Sequence, residues 1–368
     1  MRKTCLVFRY APIYRMAIYK LLEKEINVDF VFPKKTTNGL KKGNYSELFN
    51  CSFCGNEILL FKGFYYFKGL NKNIFSDYDN LVFAGDVRDL TSWYILLMSR
   101  FRKKKIKTFL WTHGYYGKES FIERLVKKIY YSLTDYVLLY GNYSKDLMIT
   151  NNISKEEKLK VIYNSLDYEK QLNIRNKLKP SDIYDLHFDN NNPNIIFIGR
   201  LTYVKKLELL IEAIVFLNNC SFPINITFVG SGEVEQKLIS LTKYFGLSKQ
   251  VWFYGESFAE EELCNLIYNS DVCVSPGNVG LTAIHSMVYG TPVITNDDFK
   301  HQMPEFEAIE VGKTGLFYKN NNVESLASSI MSWINNVEDR QIIRENCYKV
   351  VDERYNPQFQ LNLLKSLL

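Results

Sequence analysis

Short uninterrupted apolar runs recur along this chain and alternate with longer stretches in which apolar residues return every three or four positions. TCLVFR (4–9), VDFVF (28–32), NLVFAG (80–85), KTFLW (107–111), DYVLLY (135–140) and KVIYN (160–164) are of the first kind. A run without polar alternation predicts a strand covered on both faces, as in a parallel sheet. MAIYKLLEKEI (16–26) has helical spacing and predicts a crossover helix. The lysine- and aromatic-rich stretch 34–80 follows neither period and predicts an irregular excursion.

The rhythm restarts after DLHFDNNNPN (185–194), a polar, asparagine-rich segment that reads as a linker. NIIFIG (194–199), NITFVG (225–230), VWFYG (251–255), DVCVSPG (271–277) and TPVITN (291–296) predict a second set of strands, with helices such as KKLELLIEAIVFLNN (205–219) between them. Strand–helix alternation on this scale predicts α/β architecture, with two doubly wound, Rossmann-like domains facing across a cleft. The expected boundaries are 1–185, 186–350 and 351–368, the last segment being a helix that packs back on the N-terminal domain. Ligands of such sheets bind at the carboxyl ends of the strands.

Composition adds little except through charge. At 368 residues and 46% hydrophobic content the chain is globular and long enough for two cores. Its net charge of +6 is uneven. Residues 1–150 hold 25 Lys and Arg against 13 Asp and Glu, while residues 151–368 hold 21 against 27. The densest basic run is RFRKKKIK (100–107), supported by lysine pairs at 34–35, 41–42 and 127–128. Such runs are solvated faces or contacts to an anionic surface, and no helix-turn-helix, RNP or zinc-finger pattern accompanies them, so nucleic acid is not an expected partner. No secretory core or spanning segment is evident, and the seven scattered cysteines fit a reducing compartment. The expectation is a cytoplasmic protein, peripheral on the inner face of the membrane.

Candidate chemistry gathers at two strand ends of the second half. Gly199 closes a strand, and Arg200 and Lys205 follow just before a helix. Two cations there suit a diphosphate, or they are ordinary loop residues. The turn PGNVGL (276–281) also leads from a strand into a helix. Backbone N–H groups at that helix start point at the same space, and Gly277 and Gly280 let a ligand approach closely. Gly277, Asn278, Val279, Gly280 and Leu281 are therefore expected to hold a diphosphate-containing ligand. One helical turn on stands His285, which is either a site residue or a satisfied core histidine.

Other signals are weaker. Tyr14 and Arg15 in RYAPIYR (9–15) are candidates for contact with an acceptor or a phosphate. Asp77 and Asp79 form a D-x-D triplet that reads as a loop, so no metal site is expected. GSGE (230–233) lacks the third glycine of a dinucleotide fingerprint. Glu305 and Glu307 lie in a loop of unassigned role.

Taken in order, G-R-L-x-x-x-K (199–205), L-L-I-x-A (209–213), S-P-x-x-x-G-L-x-x-x-x-x-M-x-x-G-x-P-V-I (275–294) and G-x-T-G-L (312–316) resemble family 4 of the retaining, nucleotide-sugar-dependent glycosyltransferases, and in particular capsule and O-antigen enzymes of bacteria. WTHG (111–114), DYVLLYG (135–141) and VIYNSLD (161–167) match its first half more loosely. The resemblance implies the GT-B fold, a UDP- or GDP-type sugar donor and no cofactor. It also implies a saccharide acceptor, expected to be lipid-linked, and diphosphate binding by Arg200 and Lys205. His113 is implied to contact the transferred sugar.

The family's two glutamates, spaced E-x7-E, are replaced here by Gly277 and His285. His285 is expected to take over the ribose contact through an imidazole nitrogen, leaving sugar recognition to main-chain amides around Asn278–Leu281. Metal-independent retaining transfer is the expected activity. A nucleotide-sugar epimerase of the same fold and a non-catalytic nucleotide-sugar-binding protein are the alternatives.

Overall fold

The computed structural model describes residues 2–36, 43–70, 73–337 and 339–368; the lysine pair at 41–42 lies outside them. The chain divides into two units, one comprising the chain up to Asp167 together with Asn356–Leu368, the other Tyr168–Tyr355.

The first unit is built on a seven-stranded sheet in the order β3-β2-β1-β6-β7-β8-β9, all pairs parallel. Its strands are β1 (Thr4–Val7), β2 (Val28–Pro33), β3 (Cys51–Cys54), β6 (Asn80–Ala84), β7 (Lys107–Thr112), β8 (Tyr136–Leu139) and β9 (Leu159–Val161). A small antiparallel hairpin, β4 (Glu57–Leu59) and β5 (Tyr65–Phe67), stands apart. The helices are α1 (Met16–Glu25), α2 (Ile74–Asp77), α3 (Leu90–Ser99), α4 (Phe121–Ser132), α5 (Asn142–Thr150) and, from the far end of the chain, α14 (Pro357–Leu367).

Successive strand residues enter opposite cores. Cys5, Val7, Leu81, Phe83 and Leu110 belong to one, while Leu6, Phe8, Val82, Phe109 and Trp111 belong to the other. This double burial is why the strands read as continuous apolar runs. Leu361 and Leu364 of α14 complete the second of these cores. The helix starts at Pro357 with Asn356 as its N-cap, and buried Gln360 bonds the Ser165 hydroxyl and the Tyr163 carbonyl at 2.8 and 2.9 Å.

In the second unit six parallel strands run in the order β12-β11-β10-β13-β14-β15. They are β10 (Asn194–Ile198), β11 (Asn225–Val229), β12 (Val251–Gly255), β13 (Val272–Ser275), β14 (Val293–Asn296) and β15 (Gly315–Tyr318). Helices α6 (Tyr168–Arg175), α7 (Ile183–Phe188), α8 (Glu208–Asn219), α9 (Glu235–Tyr244), α10 (Glu260–Asn269), α11 (Thr282–Val288), α12 (Val323–Asn336) and α13 (Arg340–Arg354) belong to the same unit.

Four expectations are corrected. The division falls after Asp167, not after 185, because α6 and α7 pack on α10 of the second unit. Buried Tyr184 of α7 donates its hydroxyl to the Leu266 carbonyl at 2.8 Å. The segment 185–194 is accordingly no linker: it finishes α7, and its asparagines bind the buried Asn225 amide at the foot of β11. Residues 351–354 close α13 in the second unit, so the returning segment begins at Asn356. The stretch 34–80 likewise holds β3 and the hairpin, elements too short to register as a period.

Candidate functional site

In the second unit the turn after β13 is held by a buried polar network. The Pro276 carbonyl accepts from the Tyr318 hydroxyl at 2.6 Å and from Asn296 at 2.8 Å. The Gly277 carbonyl accepts from Asn296, Thr295 and Gln302 at 2.7, 3.1 and 3.3 Å. Its N–H donates to the Lys205 carbonyl at 2.8 Å. A Cβ built on Gly277 would lie 2.0 Å from the Val204 carbonyl oxygen, so only glycine lets these two backbones meet.

That meeting brings most of the expected residues together. Gly199 ends β10 with φ +141°, a conformation suited to glycine, and the chain then passes Arg200 and reaches Lys205 in a one-turn 3-10 segment, Tyr203–Lys205. Lys205 Nζ donates to the Asn278 carbonyl at 2.6 Å, and the Thr282 hydroxyl donates to the Ile198 carbonyl at 3.0 Å. Arg200 is exposed, and its guanidinium makes no hydrogen bond or ion pair among the described residues. Likewise no hydrogen bond there uses the N–H of Gly280 or Leu281, whereas that of Val279 is buried and donates to Gln302 Oε1 at 2.7 Å. The N–H groups of Val279 and Gly277, both expected among the ligand amides, are thus engaged in bracing the turn.

Burial pulls the Lys205 ammonium down to about 8; buried Glu305 opposes the shift and Arg200 adds to it. Above that pH the free protein carries a neutral amine at this position. Nucleoside-diphosphate affinity is therefore expected to weaken between about pH 8 and 9.5 in the native protein and to stay flat in Lys205→Arg, whose charge persists. Isothermal titration with UDP across that range checks this, and a native Kd that does not move removes Nζ from the ligand set.

His285, in α11, is not the free acceptor expected of it. Nε2 lies 2.9 Å from Glu260 Oε1, which also receives the Tyr289 hydroxyl at 2.6 Å and the Gln171 amide at 3.0 Å. Beside a carboxylate, Nε2 carries the proton, so acceptor capacity is left to Nδ1. Burial raises the Glu260 carboxyl, but the bond to His285 and its charge, with Tyr289 and Gln171, overcome that and hold it at about 2. In the sequence the only signal of Glu260 is the acidic start of α10.

Another constellation lies wholly within the first unit. A cavity of about 460 Å³ at the carboxyl ends of β1, β6 and β7 is lined by Tyr14, Arg15, Trp111, His113, Lys127 and Tyr140, among others. His113 follows β7 directly, and its ring centroid is 4.9 Å from that of Tyr140. Although the imidazole is open to the cavity, the surrounding protein mass disfavours its charge, and Arg15, Lys127 and Lys118 add to this. Its pKa falls to about 4, so it is neutral at physiological pH. The D-x-D triplet binds its own surroundings: Asp79 accepts from the Lys3 N–H at 3.0 Å and pairs with Lys104 at 3.1 Å.

Residues 179–350 match the family "Glycosyl transferases group 1". Among curated proteins the chain is similar to the uncharacterized glycosyltransferase MJ1607 of Methanocaldococcus jannaschii, 28% identical over 55% of this chain and 51% of the relative. It is also similar to the capsular polysaccharide biosynthesis glycosyltransferase CapM of Staphylococcus aureus, 23% identical over 68% of this chain and 66% of the relative. The matches thus span about half to two thirds of these relatives' lengths. Among solved structures, Anabaena Alr3699/HepE in complex with UDP shares the fold at a TM-score of 0.71, with 16% identity and 99% of each chain covered.

Proposed function

We propose, from the match of residues 179–350 to the glycosyl transferases group 1 family, that the chain transfers a sugar from a nucleotide-diphosphate donor to a saccharide acceptor. The observation that carries this reading is the braced edge of the second unit. There, Arg200 and the N–H groups of Gly280 and Leu281, none with a hydrogen-bond partner among the described residues, accompany the Lys205 ammonium at one turn. Fixed donors of this kind stabilise the charge that develops on a departing diphosphate. A uridine-type donor is favoured because HepE, of the same fold, binds UDP. His285, oriented by Glu260, offers Nδ1 to a ribose hydroxyl.

The reaction is retaining and needs no metal. As the bond from the sugar's anomeric carbon to the diphosphate oxygen breaks, the acceptor hydroxyl attacks from the same face and gives its proton to that oxygen. No side-chain nucleophile takes part, consistent with the bare Gly277. The acceptor belongs to the first unit, whose cavity is lined by the neutral His113 imidazole.

We assign the acceptor to a lipid-linked saccharide and the working surface to the cytoplasmic face of an anionic membrane. The solvent faces of α3 and α4 support this assignment. Leu90, Tyr94, Leu97 and Phe101 are exposed along and just beyond α3, as are Phe121, Ile122, Leu125 and Ile129 along α4. The helices are neighbours, with the Trp93 and Tyr130 rings 4.8 Å apart. Exposed Arg100, Arg102, Lys103, Lys105 and Lys128 accompany these apolar stripes. Apolar residues mixed with cations suit an anionic bilayer, where each cation contributes about 1 kcal/mol near the surface. No helix among the described residues is long and apolar enough to cross a membrane.

One assay tests the whole reading. UDP-sugars are offered together with a lipid-linked saccharide in anionic or zwitterionic vesicles, with and without a chelator, and the product anomer is read by NMR. Expected are transfer with retained configuration, indifference to chelation and faster turnover on anionic vesicles. UDP release that does not depend on acceptor would refute transfer as the function.

A further inference from the structure

The cavity of the first unit holds a cation that meets no counter-charge among the described residues. Arg15 ends the turn Ile13–Arg15 and caps α1. Its guanidinium carbon lies 5.1 Å from the Trp111 ring centroid, 5.4 Å from Tyr140, 5.8 Å from Tyr14 and 5.9 Å from Phe8. Its one hydrogen bond among the described residues goes to the Tyr19 hydroxyl at 3.5 Å, the outer limit for such a bond. Nε is buried without a partner.

The other permanent cations lining the cavity are all answered. Arg9 forks onto Glu57 with two contacts of 2.6 Å, Arg88 onto Asp86 at 3.1 and 3.2 Å, and Lys127 meets Glu119 at 2.6 Å. Aromatic faces lower the energy of a guanidinium but satisfy none of its N–H donors. Trp111, whose ring the guanidinium faces, is 2% exposed, and its indole N–H has no partner among the described residues. Charges and donors withdrawn from water without partners are costly to the free protein. The cost at Arg15 is relieved by an anion placed against its guanidinium.

We propose that this cavity is a subsite for an anionic group on the acceptor saccharide, a carboxylate or a phosphate, with Arg15 as its counter-ion. The ring faces of Tyr14, Trp111 and Tyr140 give the attached sugar an apolar wall, and about 460 Å³ accommodates a sugar unit with its charged substituent. The inference takes the word acceptor from the proposed function, but the anion site itself is tested by binding alone.

The full chain is titrated with glucuronate, glucose 1-phosphate, inorganic phosphate and glucose, with UDP as a control for the other unit. Glucuronate or the phosphates should raise the thermal midpoint, whereas glucose at equal concentration should not. Response to glucuronate alone identifies a uronic acid, and response to the phosphates identifies a phosphorylated group. Arg15→Met should lose the anion shift, with Kd weakened at least about tenfold, and keep the UDP shift. Its own midpoint should equal or exceed the native one, because an unanswered cation has been removed. If it does not fold, Arg15→Lys, which keeps the charge but not the fork, should bind the anion more weakly than the native chain. Three results would overturn the proposal: glucose stabilising as well as the anions, anion shifts surviving in both variants, or loss of the UDP shift with Arg15.

Discussion

Arg200→Ala is expected to lower kcat/KM for sugar transfer by about 10²- to 10³-fold, the loss typical of removing one preorganised donor from a developing charge. Most of that loss should fall on kcat, because charge on the diphosphate is greatest as the glycosidic bond breaks. Stability should change by no more than about 0.5 kcal/mol, since the exposed side chain has no partner among the described residues. Lys205→Ala is the informative contrast. It removes the 2.6 Å brace to the Asn278 carbonyl as well as a charge, so its activity loss should come with a lowered thermal midpoint. Steady-state kinetics and melting curves on both variants make the comparison. An Arg200→Ala enzyme with native kcat/KM would place the guanidinium away from the diphosphate.

The sequence shows the strands because each is buried on both faces. Cys5, Leu6, Val7 and Phe8 enter two different cores in alternation, so no polar residue interrupts the run. It hides β3 and the β4–β5 hairpin for the opposite reason. Ser52, Phe53, Leu59 and Tyr66 are exposed, and pairs of three or four residues carry no readable period. The asparagines at 190–194 mislead because polarity usually marks solvent, whereas here they bond a buried amide at the end of β11.

The candidate site is similarly divided. Gly199, Arg200, Lys205 and the 277–281 turn lie in one motif series, and their convergence follows from the order β10-β13 in the sheet. Glu260 is invisible by the same logic. Its link to His285 is a meeting of two helices 25 residues apart, set by packing rather than by spacing. That Arg15 meets no counter-ion among the described residues is invisible as well, since only the fold reveals that Glu57, Asp86 and Glu119 are each taken by another cation.

Gly277→Glu, which reinstates the residue type of the family pattern, is expected to damage the site rather than repair it. The first side-chain atom would stand 2.0 Å from the Val204 carbonyl oxygen and 2.6 Å from Lys205 Cα, both main-chain atoms. Neither side can retreat cheaply. The Gly277 N–H is bonded to the Lys205 carbonyl at 2.8 Å, and the Gly277 carbonyl is held by Thr295, Asn296 and Gln302. Overpacking of this kind costs about 1–3 kcal/mol even for alanine, and about 2–4 °C of thermal midpoint per kcal/mol in a domain of this size. The larger effect should be on ligand binding, because separating the two segments moves Arg200 and Lys205 away from the N–H groups of Gly280 and Leu281. UDP affinity should fall at least tenfold in Gly277→Ala and beyond detection in Gly277→Glu. A glutamate variant that binds UDP normally and transfers sugar faster would mean that the native chain merely lacks a carboxylate. The geometry argues otherwise: the volume a Gly277 side chain would fill is occupied by the backbone that presents both cations, and the carboxylate missing at 285 is supplied to its imidazole by Glu260.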